Sequence, residues 1–186
     1  MGKRSPNFER VANDAYDTPA RAVWPLLAHL DKDDYFAEPC AGQGNLIRHL
    51  HNDHIFCAYA SDIAPRRAST RLERICRIEK RDALKITKAT INHCDVIITN
   101  PPWTRLILHA IIEHFISIKP AWYLFDADWM HNGESAWLLR RCSKIVAIGR
   151  VKWIPGSLAA GKDNSCWYYF PGGNWIGQPT FYGRKG

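Results

Sequence analysis

With 186 residues, 46% of them hydrophobic, the chain can bury one substantial core but is too short for two ordinary domains, so a single domain over 1–186 is expected. No stretch approaches the roughly 18 consecutive apolar residues of a membrane helix. Met1-Gly2-Lys3-Arg4-Ser5-Pro6 has no apolar segment behind its charges, so a soluble cytoplasmic protein is expected. A net charge of +7 favours a polyanionic partner, of a kind that charge alone cannot specify.

The elements follow in chain order. Residues 1–13 precede the core, which is expected to begin near residue 14. Ala22 to Leu30 reads as an apolar helix behind Asp17-Thr18-Pro19-Ala20-Arg21, where Thr18 before Pro19 suits a helix N-cap. Tyr35-Phe36-Ala37 reads as a first strand. Leu46, Ile47 and Leu50 then recur at helical spacing, and the nearby His49, His51 and His54 read as a polar helix end rather than a metal site, because no acid or thiolate stands at useful spacing. Ile55 to Ala60 reads as a second strand, leading to a basic helix from about Pro65 to Arg77. Asp95 to Thr99 is the clearest buried strand, and Leu106, Ile107, Ala110, Ile111, His114 and Phe115 form the apolar stripe of the helix behind it. Ala121 to Phe125 and Lys144 to Ile148 read as further strands, with a helix around Ser135 to Arg141 between them. Strands and a loop complete 151–186. The six cysteines have no C-x-x-C spacing and read as free thiols.

Alternation of strand and helix predicts an α/β fold with a mostly parallel sheet and helices on both faces. Such sheets bind ligands at the carboxyl ends of their strands, and the sequence places unusual residues there. Glu38-Pro39-Cys40-Ala41-Gly42-Gln43-Gly44 follows the first strand and lets backbone approach a ligand. Ile47 stands where a dinucleotide fingerprint needs its third glycine, and no G-K-[ST] follows, so a pyrophosphate loop and a P-loop are both excluded. Asp62 ends the second strand, where a carboxylate can accept from both hydroxyls of a ribose. Asp82 stands at the end of a short third strand. Each acid alone reads more readily as a solvated loop residue or helix cap. Together they suit a ligand with a nucleoside and a cationic amino-acid tail, such as S-adenosylmethionine.

Asn100-Pro101-Pro102-Trp103 closes the buried strand with an amide, two rigid residues and an aromatic. The prolines fix their own φ and restrict the residues before them, which pre-organises backbone acceptors. An exocyclic amino group on a nucleobase is a poor nucleophile because its lone pair is delocalised into the ring. The Asn100 oxygen and the Pro101 carbonyl can take its two hydrogens and free that lone pair, while Trp103 offers a face for base stacking. A proline-terminated core strand with a buried Trp is the structural alternative.

With these motifs in order, the chain resembles the class I S-adenosylmethionine-dependent methyltransferases, and among them the adenine-N6 DNA enzymes, particularly small ones of phages and prophages. The resemblance covers roughly residues 14–150. It implies Rossmann-like topology and S-adenosylmethionine as cofactor, with Thr18 and Pro19 near the methionine carboxylate and Glu38 near its amino group. It implies Gly42 and Gly44 under the cofactor, Asp62 at the ribose and Asp82 near the adenine ring, with Pro39, Ala41, Ile63, Ala83 and Asn100 also cofactor-binding. Asn100, Pro101, Pro102 and Trp103 are the implied catalytic residues, without a metal or a membrane, and DNA is the implied partner. Two departures stand out. Only about 35 residues follow the core, too few for a separate recognition domain, and Trp occupies a place where Tyr or Phe is commoner. Methylation of RNA adenine, cytosine N4 or a protein glutamine amide is the alternative within enzymes, and a non-catalytic cofactor or nucleic-acid binding module is the alternative outside them. The expected phosphate contacts are Arg66, Arg67, Arg71, Arg74 and Arg77, Arg140 and Arg141, and Arg150 with Lys152. The loop Ser157 to Gly161, beside Trp153, is expected to close over the target base.

Overall fold

The computed structural model describes residues 16–66, 72, 74–154, 161 and 163–184. Eight strands form one sheet: β1 (Tyr35–Glu38), β2 (Phe56–Asp62), β3 (Ile78–Lys80), β4 (Val96–Thr99), β5 (Ala121–Asp126), β6 (Lys144–Arg150), β7 (Asn164–Phe170) and β8 (Thr180–Tyr182). Their order is β3-β2-β1-β4-β5-β7-β6-β8. All neighbours pair in parallel except β7, which runs antiparallel to both β5 and β6. The β1, β4 and β5 runs are apolar because strands covered on both faces have no solvent side to make polar.

Side-chain alternation divides this sheet between two cores. Phe36, Val96, Ile98, Trp122 and Leu124 face one layer, where they meet Ala22, Val23 and Leu26 of helix α1 (Ala20–Leu27) and Leu46, Ile47 and Leu50 of α2 (Asn45–Asn52). Ala37, Ile97, Tyr123 and Phe125 face the other, against Leu108, Ile111, Ile112 and Phe115 of α3 (Arg105–Ile116) and Leu138 of the short α4 (Ala136–Leu139). Each fully buried Leu or Ile of this kind contributes roughly 1.5–3 kcal/mol. The predicted helices on both faces are therefore present. Trp167 of β7 donates its indole N–H to the Ala22 carbonyl at 2.7 Å, which ties the late strand to the first helix.

Several expected boundaries move. The second strand runs on to Asp62, and β3 ends two residues before Asp82, whose carboxylate caps the 3-10 turn Ala83–Lys85 through the Leu84 N–H. The helix expected around Ser135 to Arg141 shrinks to Ala136–Leu139, preceded by 3-10 turns at Ala127–His131 and Gly133–Ser135. Positions 67–71 and 73 of the basic helix expected from Pro65 to Arg77, including Arg67 and Arg71, lie outside the described residues, as does most of the loop Ser157 to Gly161; residues 65–66 and 74–77 are turn or irregular rather than helical. His49 and His51 occupy the last turn of α2, and every cysteine is a free thiol. No helix among the described residues is long and apolar enough to cross a membrane.

Candidate active site

Because β1, β2, β3 and β4 are parallel, Glu38, Asp62, Asp82 and Asn100 all arrive at one edge of the sheet. A cleft there is lined by Thr18, Glu38, Pro39, Ala41, Gly42, Asp62, Ile63, Asp82, Ala83, Asn100 and Pro102, all residues the sequence singles out. Tyr16, Asp17, Cys40, Arg66, Ile107 and Ile111 also reach it. Pro19, Gly44, Pro101 and Trp103 do not line it.

The glycine loop holds the cleft open by backbone chemistry. Gly42 has φ +56°, a conformation that L side chains rarely adopt, and its N–H donates to Asp62 Oδ2 at 2.7 Å. The other Asp62 oxygen takes the Ala64 N–H at 2.8 Å. Asp62 therefore pins two loops, and each oxygen keeps a lone pair for a ligand. Gly44 works differently. It is the N-cap of α2 at φ +82°, and a Cβ there would lie 2.0 Å from Leu72 Cδ2, so its smallness serves helix packing.

Across the opening, Asp17 accepts from the Arg66 guanidinium at 2.5 Å and also from Gln43, while the Arg66 backbone N–H donates to the Gly42 carbonyl at 3.2 Å. Arg66 thus forms an ion pair at the cleft. The N-terminal motif is stapled on its other side as well. Asn100 Nδ2 donates to Thr18 Oγ1 at 3.2 Å and to the Tyr16 carbonyl at 3.5 Å. The hydroxyl of Thr18 does not cap α1, because Pro19 is the N-cap and no side chain caps the helix.

Glu38 is the strongest electrostatic feature. It is 2% exposed, and its Oε2 has no hydrogen-bond partner. Burial, reinforced by the nearby Asp62, pushes its carboxyl pKa well above the ordinary range. A buried carboxylate with one unpartnered oxygen on a ligand cleft is suited to a cationic group, and the ammonium of S-adenosylmethionine is one. Cys40 lines the same cleft, but burial drives its thiol pKa far up, so it supplies no thiolate nucleophile.

Trp103 packs inward more than a simple stacking platform would. Its Nε1–H is shared between Asn100 Oδ1 at 3.1 Å and the Leu124 carbonyl of β5 at 3.2 Å, and the ring meets Trp153 edge to face at 5.4 Å. The basic residues divide by strand end. Arg150 ends β6 and Lys152 follows it, at the edge that carries Asn100, and both are exposed. Arg140 and Arg141 precede β6, which runs parallel to β5, so these two lie towards the opposite edge, whereas Arg74 and Arg77 lie between Leu72, which abuts Gly44, and β3.

The comparisons agree with this architecture. No family model matches the chain. The type II methyltransferase M.VspI of Vibrio sp. (strain 343) is 31% identical over 101 residues, 47% of this chain and 25% of that protein. Among solved structures, a protein described as the modification subunit of a type I restriction enzyme from Vibrio vulnificus YJ016 superposes with TM-score 0.59 at 15% identity, over 92% of this chain and 48% of that one. PH1948 of Pyrococcus horikoshii, described as an RNA methyltransferase, gives 0.58 at 13% over 84% and 86%. A protein described as a class I S-adenosylmethionine-dependent methyltransferase of Listeria monocytogenes gives 0.60 at 11% over 95% and 67%. The chain thus spans a quarter of its curated relative and about half of the modification subunit. It has the Rossmann-like fold seen in these methyltransferases.

Proposed function

We propose that the protein methylates an exocyclic amino nitrogen, N6 of adenine in DNA. The observation that carries this reading is the position of Asn100: its amide is braced by Thr18 and Tyr16, and it lines the same cleft as Gly42 and the buried Glu38.

In this reading Glu38 takes the cofactor's ammonium, Asp62 its ribose hydroxyls, and Asp82 its adenine end, with Ile63 and Ala83 lining the same cleft. Thr18 and Pro19 stand near its carboxylate. Bound there, S-adenosylmethionine supplies a methyl group already activated by its sulfonium. The protein's remaining task is to present the amine in line, which in well-oriented systems is worth about 7–11 kcal/mol. Asn100 Oδ1 and the Pro101 carbonyl accept the two amine hydrogens, so the nitrogen lone pair leaves conjugation with the ring. Transfer would break the sulfur–methyl bond and leave the sulfur as a neutral thioether while the nitrogen, made cationic, would give one proton to solvent, so a strong general base is unnecessary. A base paired in a duplex cannot reach the cleft, so the target is flipped out or single-stranded. Arg150 and Lys152 are placed to hold its backbone, and Trp103 with Trp153 supplies aromatic surface beside Asn100.

DNA is favoured by the restriction-modification proteins among the relatives. RNA adenine is the second reading, favoured by the near-complete coverage of PH1948. Transfer of tritiated methyl to DNA, RNA and protein pools, followed by nucleoside analysis, decides between them. N6-methyldeoxyadenosine is the expected product, and label confined to RNA or protein would overturn the DNA assignment.

A further inference from the structure

The partners of the Asn100 amide decide which way it faces. Nitrogen and oxygen of a side-chain amide are told apart by what surrounds them. The Tyr16 carbonyl can only accept, and the Trp103 indole N–H can only donate. They stand at the two ends of one amide, at 3.5 Å from Nδ2 and 3.1 Å from Oδ1, with Thr18 Oγ1 a further partner of Nδ2 at 3.2 Å. A flipped amide would set a donor against the indole donor and an acceptor against the carbonyl. The indole is itself fixed, because the same N–H reaches the Leu124 carbonyl of the central strand β5 at 3.2 Å and Trp153 packs across the ring.

We propose that Trp103 is a positioning residue for methyl transfer, whose indole N–H locks the Asn100 amide with its oxygen as the acceptor offered to the target amine. The proposal rests on the methyl-transfer reading above. The chemistry is consistent: Oδ1 has two lone pairs, Trp103 occupies one, and the other is left for one amine hydrogen. A phenylalanine in this place would keep an aromatic face but have no donor, so the amide could rotate and present its NH2 to another NH2. Trp at this position is then more than a variant stacking residue. It supplies a hydrogen bond that fixes the acceptor.

The test compares the wild type with Trp103→Phe and with a protein carrying 3-benzothienylalanine at position 103, an isostere with sulfur in place of the N–H. Methyl transfer to DNA is measured as kcat and KM, and the Asn100 side-chain amide is followed by nitrogen-15 NMR, assigned by its loss in Asn100→Asp. Both variants should lose about tenfold or more in kcat, with KM for cofactor and DNA within about twofold, as expected for a bond that matters in the transition state. Their Asn100 amide protons should exchange faster with solvent. Wild-type kcat in the isostere would overturn the proposal, since only the N–H has been removed. A wild-type protein that methylates no substrate pool would instead refute the functional reading. The amide signal then decides the positioning alone: faster exchange in the isostere supports it and identical exchange overturns it.

Discussion

Replacing Glu38 by glutamine should move two properties in opposite directions. Glu38 is 2% exposed with an unpartnered oxygen, and burial with Asp62 nearby raises its pKa. At pH above that raised pKa, the ionised oxygen of the cofactor-free protein carries the penalty of a buried unsatisfied group, about 1–3 kcal/mol. Glutamine removes the charge at nearly constant shape, so cofactor-free E38Q should melt higher, by about 2–4 °C per kcal/mol recovered. The same carboxylate paired with an ammonium makes a charge-assisted bond worth about 1.5–3 kcal/mol, so E38Q should bind S-adenosylmethionine about 10- to 150-fold more weakly. Thermal melts and titration calorimetry read the two effects separately. The raised pKa adds a pH signature. Stability of the cofactor-free protein should be greatest below the ordinary carboxyl range and fall as pH rises towards the raised value, because the unfolded chain loses its proton first. Cofactor affinity should run the other way, weakening by up to about tenfold per pH unit below the raised pKa, where the proton must be displaced. E38Q should flatten both slopes. Wild-type affinity in E38Q would refute the ammonium role, and a lower melting temperature would refute the uncompensated charge.

Asn100→Ala should keep cofactor affinity within a few-fold and lose about 10²–10³ in transfer rate, the scale seen when one preorganised transition-state hydrogen bond is removed; initial rates with labelled cofactor check it. Gly44→Ala should destabilise the fold by at least about 2 kcal/mol in urea titrations, since the left-handed backbone and the 2.0 Å approach to Leu72 both oppose a Cβ. Removing Arg150 and Lys152 together should reduce the salt slope of duplex-DNA binding by about 0.9 for each phosphate no longer neutralised, whereas Arg140→Ala at the other edge should leave that slope unchanged.

The strands are legible in the sequence wherever burial on both faces makes an apolar run, as in Val96–Thr99 and Ala121–Asp126. β3 is implied only through Asp82, because Ile78-Glu79-Lys80 is a short edge strand with mostly exposed side chains and no run to see. The aromatic stretch in β7 is locally strand-like, yet nothing local encodes its entry between β5 and β6. Strand-end acids can be found in advance because a parallel sheet collects its carboxyl ends at one place. Tyr16, Arg66, Ile107 and Ile111 cannot, since they reach the cleft from a segment, a loop and a helix whose approach is a tertiary matter. Thr18 satisfies both a capping and a binding pattern, and only its bond to Asn100 separates them. Arg140 and Arg141 are singled out by charge alone; their place just before a strand already puts them at its amino end.

The placement of β7 sets an order of assembly. β5 and β6 leave the ribosome before the strand that joins them, and until Phe170 emerges each has a bare edge facing the other's. The nascent chain therefore passes through a stage with two sticky, unmatched ladders at its centre. A cut anywhere in 164–170 should unseat β7, and with it the link from β5 to β6 and β8 and the Trp167 anchor on α1, giving an aggregating product rather than a trimmed one.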